Sequence, residues 1–332
     1  MNSTSVLITG ASGFIGSHLV ETAIKLGYET WAGVRSTSSR EYLNDRRIQT
    51  IELNLDCPEE LYRQLSTFQK HHGGKTWDYI IHAAGVTKAT NEKTFMSANC
   101  LTTQHLADTL AKLNNKPRRF VYLSSLSAAQ REGMPTGESA ATAYGRSKLI
   151  AEHYLLNLAD PLDVVILRPT AVYGPREKDF LLAIKAMKHH LCLAFGRKQQ
   201  RLSFIYVKDL CKVAFNALTE GKGHCTYFVS DGQTYTNREV TKSIQQTLGT
   251  RHTIRLTLPL WMLKVLCRFG ERISQITKHP TLLNNDKYKI LKQRDWTCNP
   301  SETERALGFK PEYDLYRGLA ETISWYKQQL WI

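Results

Sequence analysis

Thr9-Gly10-Ala11-Ser12-Gly13-Phe14-Ile15-Gly16-Ser17-His18 decides how the rest of this chain reads. Ser5-Val6-Leu7-Ile8, just before it, is a short apolar run of strand type, and Phe14 to Val20, just after, opens a helical apolar pattern. Gly10, Gly13 and Gly16 therefore sit where a strand turns into a helix. Glycines permit a tight turn and close approach of another group to the backbone, and the first N–H groups of the helix point outward there with the positive end of its dipole. The turn reads as a cradle for the pyrophosphate of a dinucleotide, with Ser12, Phe14 and Ile15 beside the glycines.

Working outward, strands are expected at Glu29–Val34, Ile48–Leu53, Trp77–His82, Phe120–Ser124 and Val164–Leu167. Helical patterns lie between them at Glu59–His71, Thr94–Leu113 and Ala143–Leu158. Strands alternating with helices predict a Rossmann-type, doubly wound parallel sheet covered on both faces. Beyond Pro169 the alternation loosens into helices at Asp179–His190, Val207–Leu218 and Tyr316–Leu330, with short strands at Ser203–Tyr206 and Tyr227–Ser230. The expected organisation is a nucleotide-binding domain over residues 1–175 and a smaller, mostly helical substrate region over 176–332. The strands near 203–206 and 227–230 are candidates to return to the first sheet.

A chain of 332 residues with 42% hydrophobic and 22% charged residues is an ordinary globular composition with ample core. Its net charge of +14 is spread without a block of like charges, which reads as a basic surface suited to anionic small molecules rather than to nucleic acid. The seven cysteines show no metal-ligand spacing, so no metal is expected, and reduced thiols in a cytoplasmic protein are. Met1-Asn2-Ser3-Thr4 lacks a basic leader, and no apolar run is long enough to span a bilayer.

Where the second strand ends, a site for NAD would place a carboxylate against the ribose hydroxyls. Here the chain reads Gly33-Val34-Arg35-Ser36, with Arg40 nearby. A guanidinium can pair with a 2′-phosphate that a carboxylate would repel, which favours NADP(H) over NAD(H). Tyr144 and Lys148, four apart, share one face of a helix that follows Ser124-Ser125 at the end of the fifth strand. An ammonium beside a phenol stabilises the phenolate and is expected to lower the phenol pKa toward neutrality, making it a proton donor or acceptor. A Ser hydroxyl at that sheet edge can hold a reacting oxygen.

With these residues in place the sequence resembles an extended short-chain dehydrogenase/reductase, the NAD-dependent epimerase/dehydratase group. The glycine motif, His82-Ala83-Ala84-Gly85, Asn99, Ser124-Ser125, Tyr144…Lys148 and Arg168-Pro169 stand in that family's order over about residues 5–240. The resemblance implies that Ser125 holds the reacting oxygen, Tyr144 moves its proton, and Lys148 binds the nicotinamide ribose and tunes Tyr144. It places Leu55 and Asp56 near the adenine, Ala83, Ala84, Gly85, Pro169 and Thr170 along the cofactor, and Asn99 behind the site. It also implies a homodimer.

Departures from the family's patterns narrow the activity. Leu126-Ser127 follow Ser125 where sugar 4,6-dehydratases carry Asp-Glu. Ala171 stands where nucleotide-sugar epimerases carry Asn, and Leu202 where they place an Arg for the diphosphate. Arg168-Pro169-Thr170-Ala171-Val172-Tyr173-Gly174-Pro175 is instead similar to 3β-hydroxysteroid dehydrogenases and dihydroflavonol reductases, which act on apolar ketones or alcohols. The expectation is an NADP(H)-dependent oxidoreductase of that kind. A nucleotide-sugar epimerase using Arg176, Arg197 and Arg201 is the alternative, and a non-catalytic NADP-binding protein a second one. Leu258–Leu266 reads as the wall of an apolar substrate pocket or as C-terminal core. Ranked below both is an interfacial helix turning Lys264, Arg268 and Arg272 toward anionic lipid.

Overall fold

The computed structural model describes residues 4–129, 140–158, 162–196, 198–250, 252–277, 281 and 284–332. Strands β1 (Ser5–Thr9), β2 (Glu29–Val34), β3 (Ile48–Glu52), β4 (Tyr79–His82), β5 (Arg119–Leu123) and β6 (Val164–Pro169) join Cys225–Val229 in one parallel sheet. The spatial order is β3-β2-β1-β4-β5-β6, with Cys225–Val229 at the far edge. Between β1 and β4 the chain changes direction across the sheet, and such a switch point opens a crevice at the carboxyl ends of the strands.

Alternation along the strands sorts the core into two layers. Val6, Ile8, Val121 and Val165 face helix α1 (Phe14–Lys25) and the helix Val207–Thr219. Leu7, Ile80, Phe120 and Tyr122 face α2 (Pro58–His71), α4 (Thr102–Ala111) and α5 (Ala143–Leu156). Inner strands covered on both sides need apolar residues at every position, as the four-residue run from Val164 to Leu167 supplies.

The helix expected over Thr94–Leu113 is found over residues 92–111, with one wider turn inside it. A short α3 (Glu92–Phe95) passes into a π-helical turn, Met96–Leu101, before α4 begins. The wider turn rotates Asn99 into the interior, where it is fully buried. Of the two later strands, Cys225–Val229 returns to the main sheet beside β6, whereas Phe204–Tyr206 pairs with Ala171–Tyr173 in a separate two-stranded sheet.

The expectation for Leu258–Leu266 is corrected. Leu258 ends a strand, Ile254–Leu258, that pairs with Leu191–Phe195, and a helix, Leu260–Thr277, follows Pro259. Leu263 alone of the apolar residues from Trp261 to Leu266 is buried, while Trp261, Val265 and Leu266 face outward. The segment is therefore not mainly core.

Candidate active site

The crevice at the switch point is a cleft of about 630 Å³. Its floor is the glycine turn, with Gly10, Ser12, Gly13, Phe14, Ile15 and Gly16 on the wall. Gly10 takes a left-handed backbone (φ 67°) and packs so tightly that a Cβ there would lie 2.7 Å from the Ala83 carbonyl oxygen. A Cβ on Gly16 would meet the Gly10 carbonyl at 2.1 Å. These two glycines therefore weld the turn to β4 and α1. Gly13, by contrast, faces the opening and caps α1 without any side-chain hydrogen bond. The first turn of α1 holds no acidic side chain, so its amides remain available to an anion.

Further walls come from the β2, β3 and β4 ends. Arg35 lies exposed on the rim, with Glu41 on the same wall. Leu55 and Asp56 close one end, and Ala83, Ala84 and Gly85 line the other side. The donor set and the glycine cradle fit a dinucleotide. The second half of the chain contributes as well. Arg176 and Trp331 reach the wall from it, Trp331 stacked on Tyr326 with ring centres 5.6 Å apart. By sequence, Arg176 is a candidate only for a sugar diphosphate, and no local motif announces Trp331.

Ser125, Tyr144, Lys148, Asn99, Pro169 and Thr170 lie outside the cleft lining. Ser125 follows β5 and opens the 3-10 turn Leu126–Ala128, where its Oγ accepts from Ser127 N–H at 3.1 Å. Tyr144 sits in the first turn of α5. Thr142 caps that helix by accepting from Gly145 N–H at 2.9 Å, and the Asp286 carboxylate accepts from the Ala143 and Tyr144 amides at 3.2 and 3.3 Å. A carboxylate at a helix N-terminus complements the dipole and fixes the start of α5.

Burial pushes the Tyr144 phenol up to about 12, and a hydrogen bond with Ser125 partly offsets this. The expected depression toward neutrality is thus not what the fold produces by itself. Lys148, one helical turn on, is itself buried and engaged. Its Nζ donates to the Leu123 carbonyl at 2.9 Å, lies 4.7 Å over the Tyr122 ring, and is lowered to about 8 by burial despite Glu152.

Behind this set lies a buried network. Asn99 accepts from Val86 N–H at 2.7 Å and donates to the Ser147 hydroxyl at 3.0 Å, tying the loop after β4 to α5. Glu152, one turn beyond Lys148, is buried and holds Arg168 (Nε to Oε1 3.0 Å) together with the Ser124 hydroxyl. Ser124 is therefore committed to Glu152, which leaves Ser125 as the hydroxyl beside Tyr144. Thr170 donates to the Val229 carbonyl at 3.2 Å and joins β6 to the edge strand.

Two of the cations assigned to a sugar diphosphate have partners within the chain. Arg176 donates to the Ser17 hydroxyl at 2.9 Å, pairs with Glu21 and stacks 4.2 Å over the Tyr42 ring. Arg201 pairs with Asp295 at 3.3 Å, and Arg197 lies outside the described residues.

A parallel sheet with a glycine-turn cleft and a Tyr/Lys pair on the helix after β5 defines an NAD(P)-dependent enzyme of the short-chain dehydrogenase/reductase type. The chain belongs to the NAD dependent epimerase/dehydratase family, whose model matches residues 6–229. It is 25% identical to a ceramide reductase of Caulobacter vibrioides, across 98% of this chain and 96% of that protein. It is equally 25% identical to a UDP-glucose 4-epimerase of Vibrio cholerae, again across 98% and 96%. The crystal structure of UDP-glucose 4-epimerase with UDP-glucose from Thermotoga maritima superposes with a TM-score of 0.77 at 20% identity, covering 98% of this chain and all of that one. That likeness shows the extended fold.

Proposed function

We propose that the protein is an NADP(H)-dependent oxidoreductase interconverting a ketone and a secondary alcohol on an apolar substrate. The observation that carries this reading is the half-buried Tyr144 hydrogen-bonded to Ser125, one helical turn from Lys148. The glycine turn and the amides of α1 hold the pyrophosphate, Leu55 and Asp56 flank the adenine, and Arg35 meets the 2′-phosphate. When bound, the dinucleotide supplies or takes up the hydride. Ser125 donates to the substrate oxygen and orients it. Tyr144, protonated at neutral pH, gives its hydroxyl proton to that oxygen as negative charge develops there. Lys148 then stabilises the phenolate, and in the alcohol-to-ketone direction the same groups act in reverse.

An apolar substrate is supported by the ceramide reductase among the relatives and by the engagement of Arg176 and Arg201. A nucleotide-sugar epimerase is the second reading, favoured by the full-length likeness to UDP-glucose 4-epimerases. A ligand screen by thermal shift separates them, since long-chain ketones stabilise the first and UDP-glucose the second. On the substrate so found, Tyr144→Phe should lower kcat by roughly 10² to 10⁴-fold while NADPH still binds. Full turnover by that variant refutes the mechanism.

A further inference from the structure

The helix Leu260–Thr277 is apolar on two sides. Leu263 and Cys267 turn inward. On the opposite side Trp261, Val265, Phe269 and Ile273 recur every fourth residue as an exposed row, with Trp261 67% and Phe269 63% exposed. Leu266 and Ile276, the latter 82% exposed, widen it. The strands leading into this helix add more, for Leu191, Leu193, Ile254 and Leu256 are all exposed. Scattered single apolar side chains need no explanation, but a contiguous row on a helix already anchored by its other face does.

Charge identifies what covers it. Lys264, Arg268 and Arg272 form a second exposed row, each immediately preceding a residue of the apolar row or, for Lys264 and Arg268, its next turn. Arg255 on the adjoining strand is exposed as well. The helix has one acidic residue, Glu271, and it sits on the inner side, lining a cavity of about 70 Å³ with Ser274, Asp286 and Ala143. A second copy packed on this patch about a two-fold axis would set cations against cations. An anionic bilayer satisfies both rows at once, taking the apolar one below its headgroups and the basic one among them.

We propose that the outer face of Leu260–Thr277, with the exposed edge of Ile254–Leu258, docks on an anionic lipid surface. The inner side of the same helix lines the small cavity together with Ala143, the neighbour of Tyr144. Binding is measurable without turnover, so its outcome stands apart from the reading of the reaction.

The test is flotation of the full chain with vesicles of phosphatidylcholine alone and of equal parts phosphatidylcholine and phosphatidylglycerol. The protein is expected to float with the mixed vesicles, weakly with the neutral ones, and less as salt rises. Phe269→Glu combined with Ile276→Glu should weaken binding by roughly tenfold or more. Independently, Lys264→Gln, Arg268→Gln and Arg272→Gln together should weaken it on the order of a hundredfold toward the anionic vesicles only. All five residues are exposed, so melting temperature and NADPH binding serve as folding controls. The proposal is overturned if the wild type does not float with anionic vesicles or if the variants float unchanged. It is equally overturned if the glutamate variant turns a lipid-free dimer into monomers by light scattering, which would assign the face to a second copy.

Discussion

In the proposed function, Arg35 carries the choice of cofactor in a single side chain. It stands exposed at the tip of β2 on the cleft wall, and the nearest carboxylate along the chain on that wall is Glu41. A guanidinium pairs with a phosphomonoester by charge-assisted hydrogen bonds, whereas a ribose hydroxyl gains little from it. Arg35→Ala is therefore expected to raise the NADPH dissociation constant by roughly 10 to 100-fold and leave NADH within a few fold, by fluorescence titration. Equal losses for both cofactors would remove Arg35 from this role. At this scale residue type and spacing were enough to place Arg35 at a strand tip on the cleft wall and Tyr144 and Lys148 on one helix. Glu152 was not legible, because a carboxylate four residues after a lysine on a helix usually marks a solvated pair. Only the arrival of Arg168 and Ser124 from neighbouring strand ends turns it into a buried anchor.

Elements set how closely those side chains meet. Helix α5 approaches the turn Leu126–Ala128 through Gly145, where a Cβ would lie 2.1 Å from the Ser127 carbonyl oxygen. Since that oxygen is backbone, Gly145→Ala must push α5 and the turn apart, and with them Tyr144 and Ser125. Displacements of about 1 Å in a reacting set cost on the order of 10²-fold in rate. Gly145→Ala should accordingly lose about that much kcat and lower the melting temperature, while NADPH, held by the separate glycine turn, still binds. Wild-type turnover in this variant would show that the close approach does not position the pair. Strand and helix positions were legible through their periodicity, but two features were not. No residue pattern signals the wider turn at Met96–Leu101. In Leu260–Thr277 apolar residues occur around most of the helix, so composition could not say which side the fold would cover.

Across the whole molecule, two buried histidines join parts distant in sequence and set a limit on acid stability. His82, beneath the cleft, bridges Thr9 of β1 at 2.7 Å and Thr103 of α4 at 3.0 Å. His18 on α1 reaches the Pro175 carbonyl at 3.0 Å and so ties the glycine-turn helix to the segment beyond β6. Burial lowers His82 to about 3, with Lys148 adding to the effect, and lowers His18 to about 4, where Arg176 adds and Glu21 opposes. In the unfolded chain both return to 6.5. Each folded pKa is depressed, so the unfolded state takes up the extra proton. The histidines' contribution is intact above pH 6.5 and is lost as pH falls toward the folded values. Each site then costs about 1.4 kcal/mol per pH unit, so the two together remove about 4 kcal/mol between their unfolded pKa and about pH 5. Against a total of roughly 5–15 kcal/mol that is a large share, and the urea midpoint should fall steeply over this interval. His82→Asn, which keeps hydrogen-bonding capacity but cannot titrate there, should flatten the fall by about half even if it lowers stability at neutral pH. An acid limb of unchanged slope in that variant would place the proton uptake elsewhere.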